Sequence, residues 1–309
     1  MIVIRNFNNI KEELQNSCLA LGNFDGFHLG HKEILDFTKN LAKKNQRKSA
    51  LLTFEPHPRH FFNKNDPNKN VRIYSLSQKL EILKKEKLVD IIFLIHFNEE
   101  LANLSAADFI KNILVDRLKV NYIVVGYDFS FGKNRVGNAD LLQELAPKYD
   151  YNFNQIEAKT NEDQEIYSST NIRKLIESGE IAKASKILGR IYEIKGIVIK
   201  GQQNGRKIGF RTANILPKFH IIKPKFGVYQ SITQINGKNY KSITNFGIKP
   251  TFLGKTEVFE THIFDFEQDI YNQPIKVQLL DFIRPEMKFN NVEELTTQIK
   301  QDCKNVKNA

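Results

Sequence analysis

Cysteine is scarce in this chain of 309 residues: only Cys18 and Cys303 occur, near opposite ends, with no partner at metal-ligand or redox spacing. That argues against a disulfide scaffold or a zinc knuckle and fits a reducing compartment. Long hydrophobic runs are missing too. The most apolar stretch, residues 89–97, is interrupted by Asp90 and His96 and falls far short of the roughly 20 residues a membrane helix needs. Arg5 and Asn6 stand where a secretory signal would run apolar, so no signal or membrane segment is expected and the expected address is the cytoplasm. Repeats and low-complexity linkers are also absent, and 41% hydrophobic with 26% charged residues sets aside collagen-like, mucin-like and disordered classes.

What is present is enough chain for two cores at about 150 residues per domain. There is also a surplus of positive charge, 46 Lys and Arg against 35 Asp and Glu, or +11. Such a surplus suits nucleic acid, anionic lipid or phosphorylated small substrates. Its spread in short pairs such as Lys43-Lys44 and Lys84-Lys85 is also what a lysine-rich solvated surface gives.

Up to about residue 189, short apolar runs (residues 19–21, 50–54, 91–95 and 122–125) alternate with helical patterns. This is the signature of βαβ units and predicts a doubly wound, Rossmann-like parallel sheet. Ser75 with Gln78 and Ser105 with Asp108 read as capping boxes that open helices, and a helical pair over residues 170–177 and 181–188 is punctuated by Gly179 and Gly189. From residue 190 the period shortens. Stretches at 194–200, 228–235, 241–246, 258–266 and 275–282, with turn signals at Asn236-Gly237 and Asn204-Gly205, predict an antiparallel β-barrel or sandwich closed by a helix over 292–300. The expected domains are therefore 1–189 and 190–309.

The turn after the first run carries Gly22, Phe24, Asp25, Gly26, His28, Gly30 and His31. A glycine-rich turn between strand and helix offers amides and the helix macrodipole to phosphate. Two histidines three residues apart at that helix start can donate hydrogen bonds to a pentacoordinate phosphorus. Taken alone, the pair also reads as a metal half-site or as surface histidines. Further on, Pro56-His57-Pro58 stiffens a loop. Gly126, Asp128, Phe129, Phe131 and Gly132 combine flat rings with a turn, and Ser168, Ser169, Thr170 and Arg173 open a helix suited to a triphosphate.

The spacing His28-x-Gly30-His31 is that of the HIGH motif of nucleotidylyltransferases. With Gly22-Asn-Phe-Asp25-Gly26 before it and the Ser-Ser-Thr-x-x-Arg segment behind, the first half resembles the N-terminal module of bacterial bifunctional riboflavin kinase/FAD synthetases. Asn171 and Tyr127 depart from the family pattern. In the second half, Gly201, Gly205, Arg206 and Gly209 lead into Arg211-Thr212-Ala-Asn214, which resembles the family's G-x-P-T-A-N segment. Phe226-Gly-Val-Tyr229, Asn245-Phe-Gly-Ile-Lys-Pro250 and Arg284-Pro-Glu-Met-Lys-Phe289 follow in family order. The resemblance implies that the second half phosphorylates riboflavin with ATP, giving FMN and ADP. It implies that the first half then adenylylates FMN, giving FAD and pyrophosphate.

The same resemblance implies Mg²⁺ held by Thr212 and Asn214, Glu260 as base, His57, Pro58, Phe131 and Arg284 toward flavin, and the glycines, Phe24, Asp25, Asp128, Phe129, Ser168, Ser169, Thr170, Arg173 and Arg206 toward nucleotide phosphate. Arg211 stands where the family has proline. Two alternatives remain at this point: an FAD synthetase with a weakened kinase half, or a synthetase-like RNA-binding protein. The oligomeric state is open.

Overall fold

The computed structural model describes residues 1–5, 10–63, 72–160, 165–201, 208–218, 220–251 and 254–308. Contacts divide the chain into two compact units, Met1–Ser169 and Thr170–Ala309.

The first unit is a six-stranded, wholly parallel sheet in the order β1-β4-β3-β2-β5-β6. Its strands are β1 (Ile2–Ile4), β2 (Cys18–Leu21), β3 (Ser49–Glu55), β4 (Ile91–His96), β5 (Tyr122–Gly126) and β6 (Asn152–Ile156). Successive residues of the inner strands enter opposite apolar clusters. Leu19, Leu21, Leu52, Phe93 and Ile123 face one, while Ala20, Leu51, Ile92 and Val124 face the other. Both faces must therefore be covered, which is why the inner strands read as unbroken apolar runs.

The helices here are α1 (Leu29–Lys44), α2 (Pro58–Phe62), α3 (Leu76–Lys85), α4 (Glu99–Asn103), α5 (Ala106–Asp108) and α6 (Ala139–Tyr149), with α5 continuing as a π-helix over Phe109–Arg117. Ser75 accepts from the Gln78 N–H in a reciprocal capping box, and Ser105 accepts from the Asp108 N–H. The expected box is complete at Ser75; at Ser105 the forward bond forms, and the Asp108 carboxylate accepts from the Ser105 hydroxyl at 2.6 Å.

In the second unit, α7 (Ser169–Ser178, opening at the division) and α8 (Ile181–Leu188) end at Gly179 and Gly189, whose φ values of 88° and 70° suit glycine caps. The antiparallel sheet runs β7-β12-β9-β10-β11-β8, from β7 (Glu193–Ile197), β8 (Ala213–Ile215), β9 (Gly227–Ile235), β10 (Lys238–Thr251), β11 (Gly254–Ile263) and β12 (Pro274–Arg284). A bridge between Ile199 and Asn214 joins the two ends, so the sheet nearly closes into a barrel. The β9–β10 turn has positive φ at both Asn236 (48°) and Gly237 (82°), the type I′ geometry its dipeptide predicts. The Asn204-Gly205 turn lies outside the described residues.

The barrel interior mixes large apolar side chains (Tyr229, Phe246, Phe259 and Leu279) with a continuous row of buried hydroxyls. Thr233 bonds Ser242, Ser242 bonds Ser231, Ser231 bonds Thr244 and Thr244 bonds Thr261, at 2.8–2.9 Å. Outside, α9 (Val292–Asn308) covers Val228 and Ile243 with Cys303 and Val306.

The contact division falls twenty residues before the change of period at 190. Helix α8 packs on β12, and the Lys225 N–H donates to the Ile176 carbonyl at 3.3 Å. Among the described residues, no helix is long and apolar enough to cross a membrane.

Candidate active sites

The parallel sheet reverses its winding at β2, with β3 and β4 on one side and β5 and β6 on the other. Loops leaving β2 and β5 therefore diverge at the carboxyl ends of the strands, the place where such sheets bind ligands. They are the loops that carry residues 22–28 and 127–137. In the first, Gly22 N–H still donates to Leu52 O across the ladder at 3.2 Å. Gly26 then turns at φ +74°, where a Cβ would lie 2.5 Å from Ile73 Cδ1, so only glycine passes here. Asp25 is buried; its Oδ1 accepts from the Ile73 N–H at 3.2 Å, and its carbonyl accepts from Ser169 Oγ at 2.9 Å. That last bond brings the Ser168-Ser169 segment onto the turn.

His28 is the N-cap of α1. Its Nδ1 accepts from the His31 N–H, His31 Nδ1 accepts from the His28 N–H, both at 3.4 Å, and the rings stack with centroids 3.6 Å apart. With both Nδ1 atoms accepting, each neutral ring carries its proton on Nε2. Phe24 lies tilted against His31 at 4.9 Å, and Gly30 lies in the first turn of α1 beside the His28 ring. On the second loop, Gly126 ends β5, Asp128 is exposed, and Phe129 stacks on Phe131 at 5.4 Å. Phe131 is itself buried in the apolar cluster against Phe109, whereas Phe129 is half-buried. Gly132 turns at φ +73° against the backbone of Ala106. His57 caps α2, its Nδ1 accepting from the Arg59 N–H at 3.1 Å, and Pro58 is the first residue of that helix. Thr170 and Arg173 fall beyond the contact division, on α7.

In the barrel, strand register does the assembling. Glu260 on β11 stands opposite Asn245 on β10 and opposite Asn214 on β8, so the three share a face. Thr212, just before β8, lines the same cavity as Asn214. Asn214 is buried, and its Oδ1 has no hydrogen-bond partner among the described residues. A Cβ at Gly201 would lie 1.9 Å from Asn214 Nδ2, so glycine there lets the chain close over the amide. Glu260 pairs with Lys249.

A cavity of about 200 Å³ lies alongside, lined by Thr212, Asn214, Thr261, Glu267, Asp269 and Tyr271 among others. Arg211 reaches the Glu267 carbonyl with Nη1 at 3.4 Å, while its own carbonyl meets His262 Nδ1 at 2.8 Å. Burial lowers the His262 pKa, against the pull of that carbonyl. Gly209 turns at φ +87°; Gly205 and Arg206 lie outside the described residues. Arg284 commits Nε and Nη2 to Asp302 of α9 at 3.0 and 2.8 Å and Nη1 to the Pro285 carbonyl.

Comparison with known proteins matches both halves. A family model for FAD synthetase covers residues 10–171, and one for riboflavin kinase covers residues 188–309. Over 99% of this chain and 98% of the relative, the sequence is 39% identical to a bifunctional riboflavin kinase/FMN adenylyltransferase of Buchnera aphidicola subsp. Schizaphis graminum. The chain belongs to the bifunctional riboflavin kinase/FMN adenylyltransferase family. The family member of Bacillus subtilis is 37% identical over 95% of this chain and 92% of its own, and that of Escherichia coli 33% over 98% and 96%. A crystal structure from Streptococcus pneumoniae, titled a macrolide-efflux protein, matches with a TM-score of 0.89 at 31% identity, covering 100% of this chain and 99% of that one.

Within this family member, three contacts escape the sequence motifs. Lys79 reaches under the first turn, Lys249 pairs with Glu260, and Asn245 faces Glu260 across the ladder. A legible signal exists only for Lys79: it stands one turn before Leu83, on the buried side of an amphipathic helix, where a lysine needs a reason.

Proposed function

We infer that the chain makes FMN from riboflavin in residues 190–309 and FAD from FMN in residues 1–189, consuming one ATP at each step. The observation that supports this best is that each half holds its own polar constellation at its own sheet. The stacked His28/His31 pair caps α1 at the winding switch, and Glu260 lies in register with Asn214.

In the kinase step, Glu260 takes the proton of the riboflavin terminal hydroxyl as that oxygen attacks the γ-phosphorus of ATP, and ADP leaves. In the adenylyl step, an FMN phosphate oxygen attacks the α-phosphorus of a second ATP and pyrophosphate leaves. The Nε2 protons of His28 and His31, with the amides at the start of α1, donate to the charge that develops at phosphorus. Gly22, Phe24, Asp25, Gly26 and Gly30 shape this turn, and Ser168, Ser169, Thr170 and Arg173 serve the triphosphate. Half-buried Phe129 offers a ring surface.

The metal is Mg²⁺. Asn214 Oδ1, buried and without a partner among the described residues, and the Thr212 hydroxyl are hard oxygen donors of the kind Mg²⁺ prefers. Bound there with ATP, it would neutralise phosphate charge. We place the protein in the cytoplasm, with small-molecule partners and neither membrane nor nucleic acid. Incubation with riboflavin and Mg-ATP, with riboflavin, FMN and FAD separated over time, should show FMN rising first and FAD after it. Tight RNA binding with neither product formed would reverse the assignment.

A further inference from the structure

Lys79 is buried on α3, yet an ammonium leaves water only at a large cost unless other groups replace its hydration. Its partners stand where two site segments part. Nζ donates to the Asn23 carbonyl at 2.5 Å and to Thr53 Oγ1 at 2.7 Å, and the Thr53 hydroxyl donates to the same carbonyl at 3.2 Å. Asn23 belongs to the glycine-rich turn after β2 and Thr53 to β3, immediately beyond the last ladder bond of the two strands. The charges that bear on the ammonium are Asp25 from the turn, Glu55 from β3, and Arg72, which grips Glu55 through two nitrogens at 2.8 and 3.0 Å.

We propose that Lys79 is a positioning residue for adenylyl transfer: a charged pin beneath the turn that fixes Asn23, and with it Asp25 and Gly26, against β3. It rests on the assignment of FMN adenylylation to the first unit. Charge-assisted hydrogen bonds are about twice as strong as neutral ones, and a catalytic group displaced by about 1 Å costs about 10²-fold in rate.

Burial pushes the Lys79 pKa down to about 7 against the attraction of Asp25, so the pin loses its charge near neutrality. Stability moves the other way. Between about 7 and the ordinary 10.5 the unfolded chain holds a proton that the folded one has released, so this group favours folding more as pH rises. A lysine that served packing alone would not separate the two trends.

The test uses the full chain with FMN and Mg-ATP between about pH 6 and pH 9, with melting temperatures over the same range and riboflavin phosphorylation as internal control. The expected parent profile loses FAD turnover above about pH 7 without a matching fall in melting temperature. Lys79→Met, of similar length and uncharged, should lower kcat for FAD by about 10–10², lose that limb and keep kinase turnover. Thr53→Val keeps the ammonium but removes one bond to its charged form, so its limb should move to lower pH. That variant carries the test if Lys79→Met does not fold. A Lys79→Met protein with the parent kcat, or a Thr53→Val profile that coincides with the parent's, overturns the proposal. If the parent makes no FAD from FMN at any pH, the assignment of adenylylation is wrong and the proposal falls with it.

Discussion

At His28 two duties meet in one side chain: the ring caps α1, and in the proposed function its imidazole serves adenylyl transfer. Asparagine is among the best N-caps but has no imidazole, so His28→Asn separates the duties. The variant should stay folded by circular dichroism and lose about 10²–10³ in FMN adenylylation, while riboflavin is still converted and FMN accumulates. A variant making FAD at the parent rate would remove His28 from the chemistry. Glu260 is the mirror case. Glu260→Gln keeps size and register but not the base, and should cost about 10²–10⁴ in riboflavin phosphorylation while supplied FMN still becomes FAD.

Elements differ in how plainly the sequence announces them. The four inner strands of the parallel sheet, buried on both faces, stand out as apolar runs, whereas β1 is three residues long and β6 reads Asn-Phe-Asn-Gln-Ile. Both lie at the sheet edges, where half the ladder and much of the burial are missing, so neither yields a run. β8, also three residues, hides inside the Thr-Ala-Asn segment and is recognisable only as chemistry. Motif residues next to one another in sequence were readable. Pairings such as Glu260 with Asn214, or Ser169 with the Asp25 carbonyl, depend on register and on chain return, and Phe131 and Arg284 satisfy a motif while engaged with the core and with Asp302.

The loop before β8 carries its own prediction: the family resemblance leads one to expect proline at the position of Arg211, whose guanidinium holds the Glu267 carbonyl only at 3.4 Å. Proline would narrow the loop and keep the carbonyl that His262 meets. Arg211→Pro should therefore raise kinase turnover and leave FMN adenylylation unchanged. Lower turnover with a raised KM for ATP in steady-state kinetics would mean that the guanidinium binds phosphate instead.

For the molecule as a whole, two units with separate apolar interiors and separate polar constellations make the half-reactions separable. Mixing His28→Asn protein with Glu260→Gln protein should restore conversion of riboflavin to FAD, with a lag that lengthens on dilution as FMN crosses through solvent. Failure to complement, with each half-reaction intact, would mean that FMN never leaves the chain that made it. The hydroxyl row inside the barrel, Thr233 to Thr261, has a thermal consequence. Exposing apolar surface raises the heat capacity of a protein and exposing polar surface lowers it. A barrel interior that is partly hydroxyl should therefore unfold with a smaller heat-capacity increment per residue than the sheet unit with its two apolar faces. Scanning calorimetry of the full chain checks this, the barrel transition being the one that riboflavin raises. With the smaller increment comes a flatter stability curve, so on cooling the sheet unit loses its margin first and the kinase half outlasts its neighbour.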